Sequence, residues 1–199
     1  ACFASGIPDD PEHIRVTRKQ VRRSSTARSK PNSFLLDVYA TPTGDQNKKL
    51  TDRVIGPLPW GELYSDNTGN TRVAAATNEN GTITISYQGD TDWVDISDKL
   101  QVNSRPLIDF TFVGFNSTNE EFYYLGVGEN GIRGLYLYSH DYSSSDLIYQ
   151  QPNMDIAFQD LIFASDNITI LGVELSGDEF EHHYFLEHPE SDLHESLDA

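Results

Sequence analysis

Cysteine is almost missing from this chain. Cys2 is the only one, so no intrachain disulfide and no thiolate metal cluster can form. Methionine is equally scarce, one residue against 10 Tyr and 10 Phe, a balance that suits strands better than a helical bundle. No run of 18 apolar residues occurs, which excludes a membrane-spanning helix. Basic residues nearly vanish after residue 53, where 4 Lys and Arg stand against 25 Asp and Glu. Such a surface repels a phosphate backbone, so nucleic acid and anionic membrane are not expected as partners. The motifs G-x-S-x-G, G-x-x-x-x-G-K-[ST] and H-E-x-x-H are absent as well, and nothing points to a cofactor. An enzyme is not the expected reading.

The chain begins at Ala1 with neither Met nor an apolar leader, which fits a processed secreted product or a fragment. The first 53 residues hold 10 of the 14 Lys and Arg. The run Arg15 to Lys30, rich in Ser, Thr and Arg without an apolar period, predicts a flexible basic arm over 1–31. Residues 32–199 are then the folded domain. Three N-x-S/T sequons, at Asn80, Asn116 and Asn167, lie beside turn-like or polar stretches and predict exposed glycosylation sites on a secreted protein.

Within that domain one unit recurs about every 46 to 50 residues. Leu125-Gly126-Val127 with Gly131 returns as Leu171-Gly172-Val173 with Gly177, Glu79-Asn80-Gly81 as Glu129-Asn130-Gly131, and Pro57-Leu58 as Pro106-Leu107. In the clearest copy, strands are predicted over 107–115, 122–127, 132–139 and 147–150, with Asn-Gly as a two-residue hairpin turn between the second and third. The preceding copy gives 58–64, 72–77, 82–87 and 93–96, and the following copy 156–164, 168–175 and 180–186, with a weak fourth strand in its acidic tail, 188–199. A partial copy, 34–39 and 50–55, comes first. Alternation sets Ile83, Ile85 and Tyr87 on one strand face and Thr82, Thr84 and Ser86 on the other, which excludes helical repeats. Four antiparallel strands repeated in tandem predict an all-β, β-propeller-like fold of about three and a half blades. A ring of that kind needs completion, by pairing of the chain's ends or by a homo-oligomer. A two-sheet β-sandwich is the alternative.

Thr71-Arg72-Val73, then Thr82-Ile83, then Trp93 resembles the blade of the fungal fucose-specific lectins. The resemblance implies a six-bladed propeller in which an Arg and a Glu bind sugar hydroxyls and an aromatic ring packs on the sugar. Carried onto this sequence, Arg72 and Trp93 match. The Glu position falls on Ile85, and in the next copy Phe122 stands for the Arg and Gly134 for the Glu. Apart from any family, sugar sites need planar aromatics flanked by polar groups. Trp60 with Glu62 and Tyr64, and Trp93 with Asp92 and Asp95, form such sets; the structural alternative, which the residues favour, is that both Trp are blade-packing core with acidic turns beside them. The leading expectation is a lectin-like module whose partners are glycans or a glycoprotein, with a protein-interaction scaffold and a glycoside hydrolase as alternatives.

Other clusters are read structurally. Residues 65–72 (SDNTGNTR) resemble the Asp-box hairpin of sialidase-like propellers, with Asn67 in place of the Asp and Arg72 in place of the Trp. Asp90, Asp92, Asp95 and Asp98 lack the Gly and closing Glu of a calcium loop and read as a solvated acidic turn. His182 and His183 point to opposite faces of a strand, and His188 lies about 20 Å from His182 along an extended chain, so no zinc site is expected.

Overall fold

The structure is a computed structural model and describes residues 2–10, 12–18, 30–37, 50–89, 91–100, 106–141, 144–176, 180–185 and 188–198. The chain divides into two compact units, 1–108 and 109–199. Both are made of antiparallel sheets whose strands pair in chain order. The first unit holds β1 (Cys2–Gly6), β2 (His13–Arg18), β3 (Asn32–Asp37) and β4 (Leu50–Ile55) in one sheet, then β5 (Glu62–Ser65), β6 (Thr71–Thr77), β7 (Ile83–Gln88) and β8 (Trp93–Asp95) in the next. The second unit holds β9 (Thr111–Phe115), β10 (Glu121–Val127), β11 (Arg133–Ser139) and β12 (Ser144–Tyr149), then β13 (Leu161–Phe163), β14 (Ile170–Ser176) and β15 (Phe180–Tyr184), and ends in helix α1 (Pro189–Asp198). Among the described residues there are thus four sheets, not the two of a sandwich, and none closes into a barrel. Among the described residues no helix is long and apolar enough to cross a membrane.

Three expectations are corrected. The flexible arm over 1–31 is in part a sheet: β1 and β2 pair with each other and β2 pairs with β3, so the partial first copy is a four-stranded sheet. Residues 19–29 lie outside the described residues. The basic composition hid β2 because its pattern is inverted. Arg15 and Thr17 are the buried residues, while Ile14 and Val16 are only half-buried. The acidic C-terminal stretch is the helix α1, not a weak fourth strand.

The third correction concerns the turns. Gly81 N–H donates to the Asn78 carbonyl at 3.0 Å and Asn78 N–H to the Thr82 carbonyl at 2.7 Å. Gly81 has φ +82°, and Asn80 is not among the positive-φ residues. The loop is therefore a three-residue one, a type I turn closed by a left-handed glycine, rather than the two-residue form. The β10–β11 loop repeats it with Gly131 (φ +80°) and the β5–β6 loop with Gly69 (φ +86°). In the β9–β10 and β13–β14 loops, each one residue longer, the left-handed residue that closes the turn is Asn119 (φ 61°) or Asn167 (φ 57°), since Asn tolerates this conformation better than other side chains.

Each unit has its own core. In the first, Val73, Ala74, Ala75, Ile85 and Tyr87 are buried with Ile96 and Leu100. The two sheets there are joined by buried polar contacts, Arg15 donating to the Gly69 carbonyl and Thr71 Oγ1 meeting Ser33 Oγ at 3.2 Å; within the first sheet Arg15 also donates to the Asp52 carboxylate at 2.7 Å and to the Asp52 carbonyl at 3.0 Å. A Cβ on Gly69 would lie 2.6 Å from Ile7 Cδ1, so that turn needs glycine for space as well as for φ. In the second unit, Leu125 and Leu135 pack on Ile156, Leu161, Ile170, Val173 and Leu175. The other face of β10 and β11 is aromatic: Phe122 lies 5.0 Å from Tyr138 and Tyr124 stacks on Tyr136 at 5.3 Å, centroid to centroid.

Candidate functional site

The two residues carried by the lectin resemblance come together. Arg72 is the second residue of β6 and Trp93 the first of β8, and both line a cleft of about 510 Å³ in the first unit. Its other walls are β4, through Asp52 to Ile55, and the turn between β7 and β8, where Gly89 N–H donates to the Asp92 carbonyl at 2.9 Å. Among the described residues, two arginines, Arg53 and Arg72, and two aspartates, Asp52 and Asp92, line this space with Gln88 and Trp93. These described charges balance although the whole chain carries −17.

Arg72 is held from behind. Its Nε donates to Asp66 Oδ2 at 3.0 Å, and the Asp66 side chain is only 1% exposed. The other carboxylate oxygen, Oδ1, accepts from Thr68 N (3.1 Å), Thr68 Oγ1 (2.8 Å) and Asn70 N (2.8 Å). Asp66 thus closes its own turn and clamps the guanidinium. The two terminal Nη groups of Arg72 have no partner among the described residues. Arg53 is fixed likewise, Nε and Nη2 donating to Asn32 Oδ1 at 3.0 and 2.8 Å. Asp52 is occupied by Arg15. Such a set offers fixed donors, a carboxylate acceptor and one aromatic plane, which is hydroxyl-binding chemistry.

The remaining sequence candidates fall elsewhere. Trp60 is separated from Glu62 and Tyr64 and lines a different cleft with Asn78 and Glu79. Glu62 and Tyr64 lie together on β5, the phenol donating to Glu62 Oε2 at 2.8 Å. Burial first, then that hydrogen bond and the Glu62 charge, push the Tyr64 hydroxyl well above its ordinary pKa, so it is a neutral donor at any physiological pH. Neither residue lines either cleft. All three sequons sit in hairpin loops. Asn80 Oδ1 accepts from Thr82 N and Oγ1 at 3.1 and 2.7 Å, Asn116 braces its loop through Glu121 at 2.9 Å, and Asn167 is the left-handed residue of its own.

Ile85, at the Glu position of the resemblance, is fully buried core, and so is Phe122, which stands where Arg72 does one copy earlier. In the turn 66–70 Asp66 Oδ1 accepts from Thr68 and Asn70, one residue before the Asn67 that stands for the Asp in the Asp-box resemblance. Asp95 closes the short turn into 97–99, accepting from Ser97 N and Oγ at 2.9 and 2.6 Å; Asp90 lies outside the described residues. His182 contacts Glu174 at 3.1 Å while His183 stacks on Tyr149 at 4.6 Å. Among the described residues no three His, Cys, Asp or Glu side chains converge on a metal position. Sequence reasoning missed Asp66, Arg53 and Gln88. The run Asp-Asn-Thr-Gly-Asn was the available signal, because Asp two residues before a hydroxyl and three before a Gly is an Asx-turn pattern.

No protein-family model and no curated protein matches the chain. Among solved structures it is similar to TolB from Acinetobacter baumannii, at 14% identity and a TM-score of 0.52, over 92% of this chain and 40% of that one. The chain therefore spans well under half of that protein. The likeness is one of fold, a β-propeller-like succession of antiparallel sheets.

Proposed function

We propose that this chain is a secreted, non-enzymatic carbohydrate-binding module, and that the cleft between Arg72 and Trp93 takes a neutral sugar. The observation that carries this reading is the Asp66 clamp. It commits one edge of the Arg72 guanidinium and leaves the Nη edge to the same cleft as Trp93. Sugar recognition needs an oriented donor beside an aromatic plane, and preorganised donors lose little freedom on binding. The balanced charge of the cleft suits an uncharged ligand. In this reading Glu62 and Tyr64 brace β5 and do not touch the sugar.

A glycan array of the intact chain, followed by calorimetric titration of the best neutral ligand, tests it. Arg72→Ala and Trp93→Ala should each weaken binding at least tenfold, on the order of 1.4 kcal/mol or more. Array signals at background for the wild-type chain would sink the reading. We further propose that the four sheets are propeller blades and that a second copy supplies strands to complete the ring. Sedimentation velocity should then find a dimer or larger species, and a monomer across the micromolar range would rule this out.

A further inference from the structure

Trp60 is in the wrong conformation for its residue type. The turn 58–61 closes with Gly61 N–H donating to the Leu58 carbonyl at 3.2 Å, with Pro59 in its second position and Trp60 in its third. Trp60 has φ 59°. A positive φ at the third position after Pro is normally supplied by Gly, and a bulky aromatic there is strained. The strain is not offset by burial, since Trp60 remains 48% exposed while the largest core rings of this chain are sealed. A tryptophan that is both strained and half in solvent contributes little to the fold.

What the indole does instead is form a wall of a second cleft, of about 390 Å³, with Leu58, Pro59, Asn78 and Glu79. Asn78 is locked in place, its Nδ2 donating to Thr82 Oγ1 at 2.9 Å and to Thr84 Oγ1 at 3.0 Å, so its amide oxygen points in a fixed direction. Pro59 stiffens the turn that presents the ring. An exposed aromatic plane, a fixed amide acceptor and a carboxylate on one rim make a stacking platform with hydroxyl partners. The carboxylate disfavours an acidic sugar.

We propose that the Trp60 shelf is a second carbohydrate subsite, which stacks the apolar face of a neutral pyranose on the indole and takes its hydroxyls on Asn78 and Glu79. This rests on the reading that the chain binds carbohydrate, but the shelf shares no lining residue with the Arg72–Trp93 cleft. The chain has two tryptophans, so Trp93→Phe leaves Trp60 as the sole indole reporter. That variant is titrated with methyl β-galactoside, methyl β-glucoside and methyl α-fucoside, with a methyl sialoside as the acidic control. At least one neutral glycoside should give a saturable shift in Trp60 emission, and the sialoside none. In the otherwise wild-type chain, Trp60→Gly should weaken calorimetric binding at this subsite at least tenfold and raise Tm by about 2–4 °C, because the strain is released. A lowered Tm would make Trp60 a structural residue and overturn the inference. A silent Trp60, with the wild-type chain still binding these glycosides through Arg72, would overturn it alone. A Trp60 response with binding indifferent to Arg72→Ala would sink the main cleft and leave the shelf standing. No binding by the wild-type chain to any glycoside would remove both.

Discussion

The sheet β5–β8 and the sheet β9–β12 are two copies of one repeat over different chemistry. Their second strands, β6 and β10, are both seven residues long and both lead through a three-residue loop closed by a left-handed glycine, Gly81 in one and Gly131 in the other. Val73 pairs with Tyr87 in the first, and Tyr123 with Leu137 in the second, so the register is shared too. Yet β6 reads Arg-Val-Ala-Ala-Ala where β10 reads Phe-Tyr-Tyr-Leu-Gly. Arg72 is half-exposed and clamped by Asp66, while Phe122, at the same place, is sealed among Phe112, Phe115 and Tyr138 with ring centres 5.0–5.8 Å apart. The frame depends on turn geometry and alternation, and both copies keep those. Arg72 lines a cleft in the first copy, whereas the same position in the second is filled by buried aromatic core.

That contrast is broken most forcefully at Phe122. Phe122→Ala should lower the unfolding free energy by about 3–5 kcal/mol, the range for truncating a fully buried aromatic, read by urea denaturation. A loss under about 1 kcal/mol would mean that the aromatic packing of β9–β12 is not what holds that sheet.

Arg15 tests the polar side of the comparison. Its guanidinium binds Asp52 within its own sheet and joins the next sheet of the first unit through Gly69, and Arg15 itself is only 3% exposed. Asp52 is half in solvent, which screens the pair. Arg15→Ala should therefore cost less, about 1.5–3 kcal/mol for lost charge-assisted hydrogen bonds, by the same measurement.

The smallest effect is local and set by pH. Helix α1 is anchored where Glu190 accepts from Ser165 N at 2.7 Å and from Ser165 Oγ at 2.8 Å. Those two hydrogen bonds hold the Glu190 carboxyl below its ordinary pKa. Burial pushes Asp166 upward, but hydrogen bonds from Thr169 and Ile168 and the nearby His188 outweigh it and hold it low as well. A carboxyl depressed in the folded state contributes stability above its unfolded pKa, near 4, and loses it as pH falls through the folded value. Protection factors at α1, taken against the intrinsic exchange rate at each pH, should be unchanged between pH 7 and 5 and fall only under more acidic conditions. Glu190→Gln should lower them at pH 7; equal protection in the two proteins would show that the helix docks by other means.

Much of the frame was legible because it follows from period-two alternation and loop glycines, which act over a few residues. Leu125-Gly126 and Leu171-Gly172 lie on β10 and β14, the second strands of their sheets, as the repeat implied. The first sheet was not legible in β1 and β2, since Arg15 reads as a solvated charge until Asp52 and Gly69, 37 and 54 residues away, are placed against it. For the candidate site, Arg72 and Trp93 were set side by side only by the lectin resemblance, and both line one cleft. The split of Trp60 from Glu62 and Tyr64 was not, because residues two apart in sequence diverge when a turn intervenes.

The amino-acid sequence by itself determined an all-β chain with a repeating unit, hairpin loops marked by glycine, and an acidic body. These rest on short-range sterics and on summed charge. Only the tertiary structure decided that Asp66 orients Arg72, that Arg15 is buried, and that Trp60 stands strained beside its own cleft. Each of those depends on groups brought together across a turn or between sheets, where low dielectric and fixed geometry give a side chain a role its local sequence does not carry.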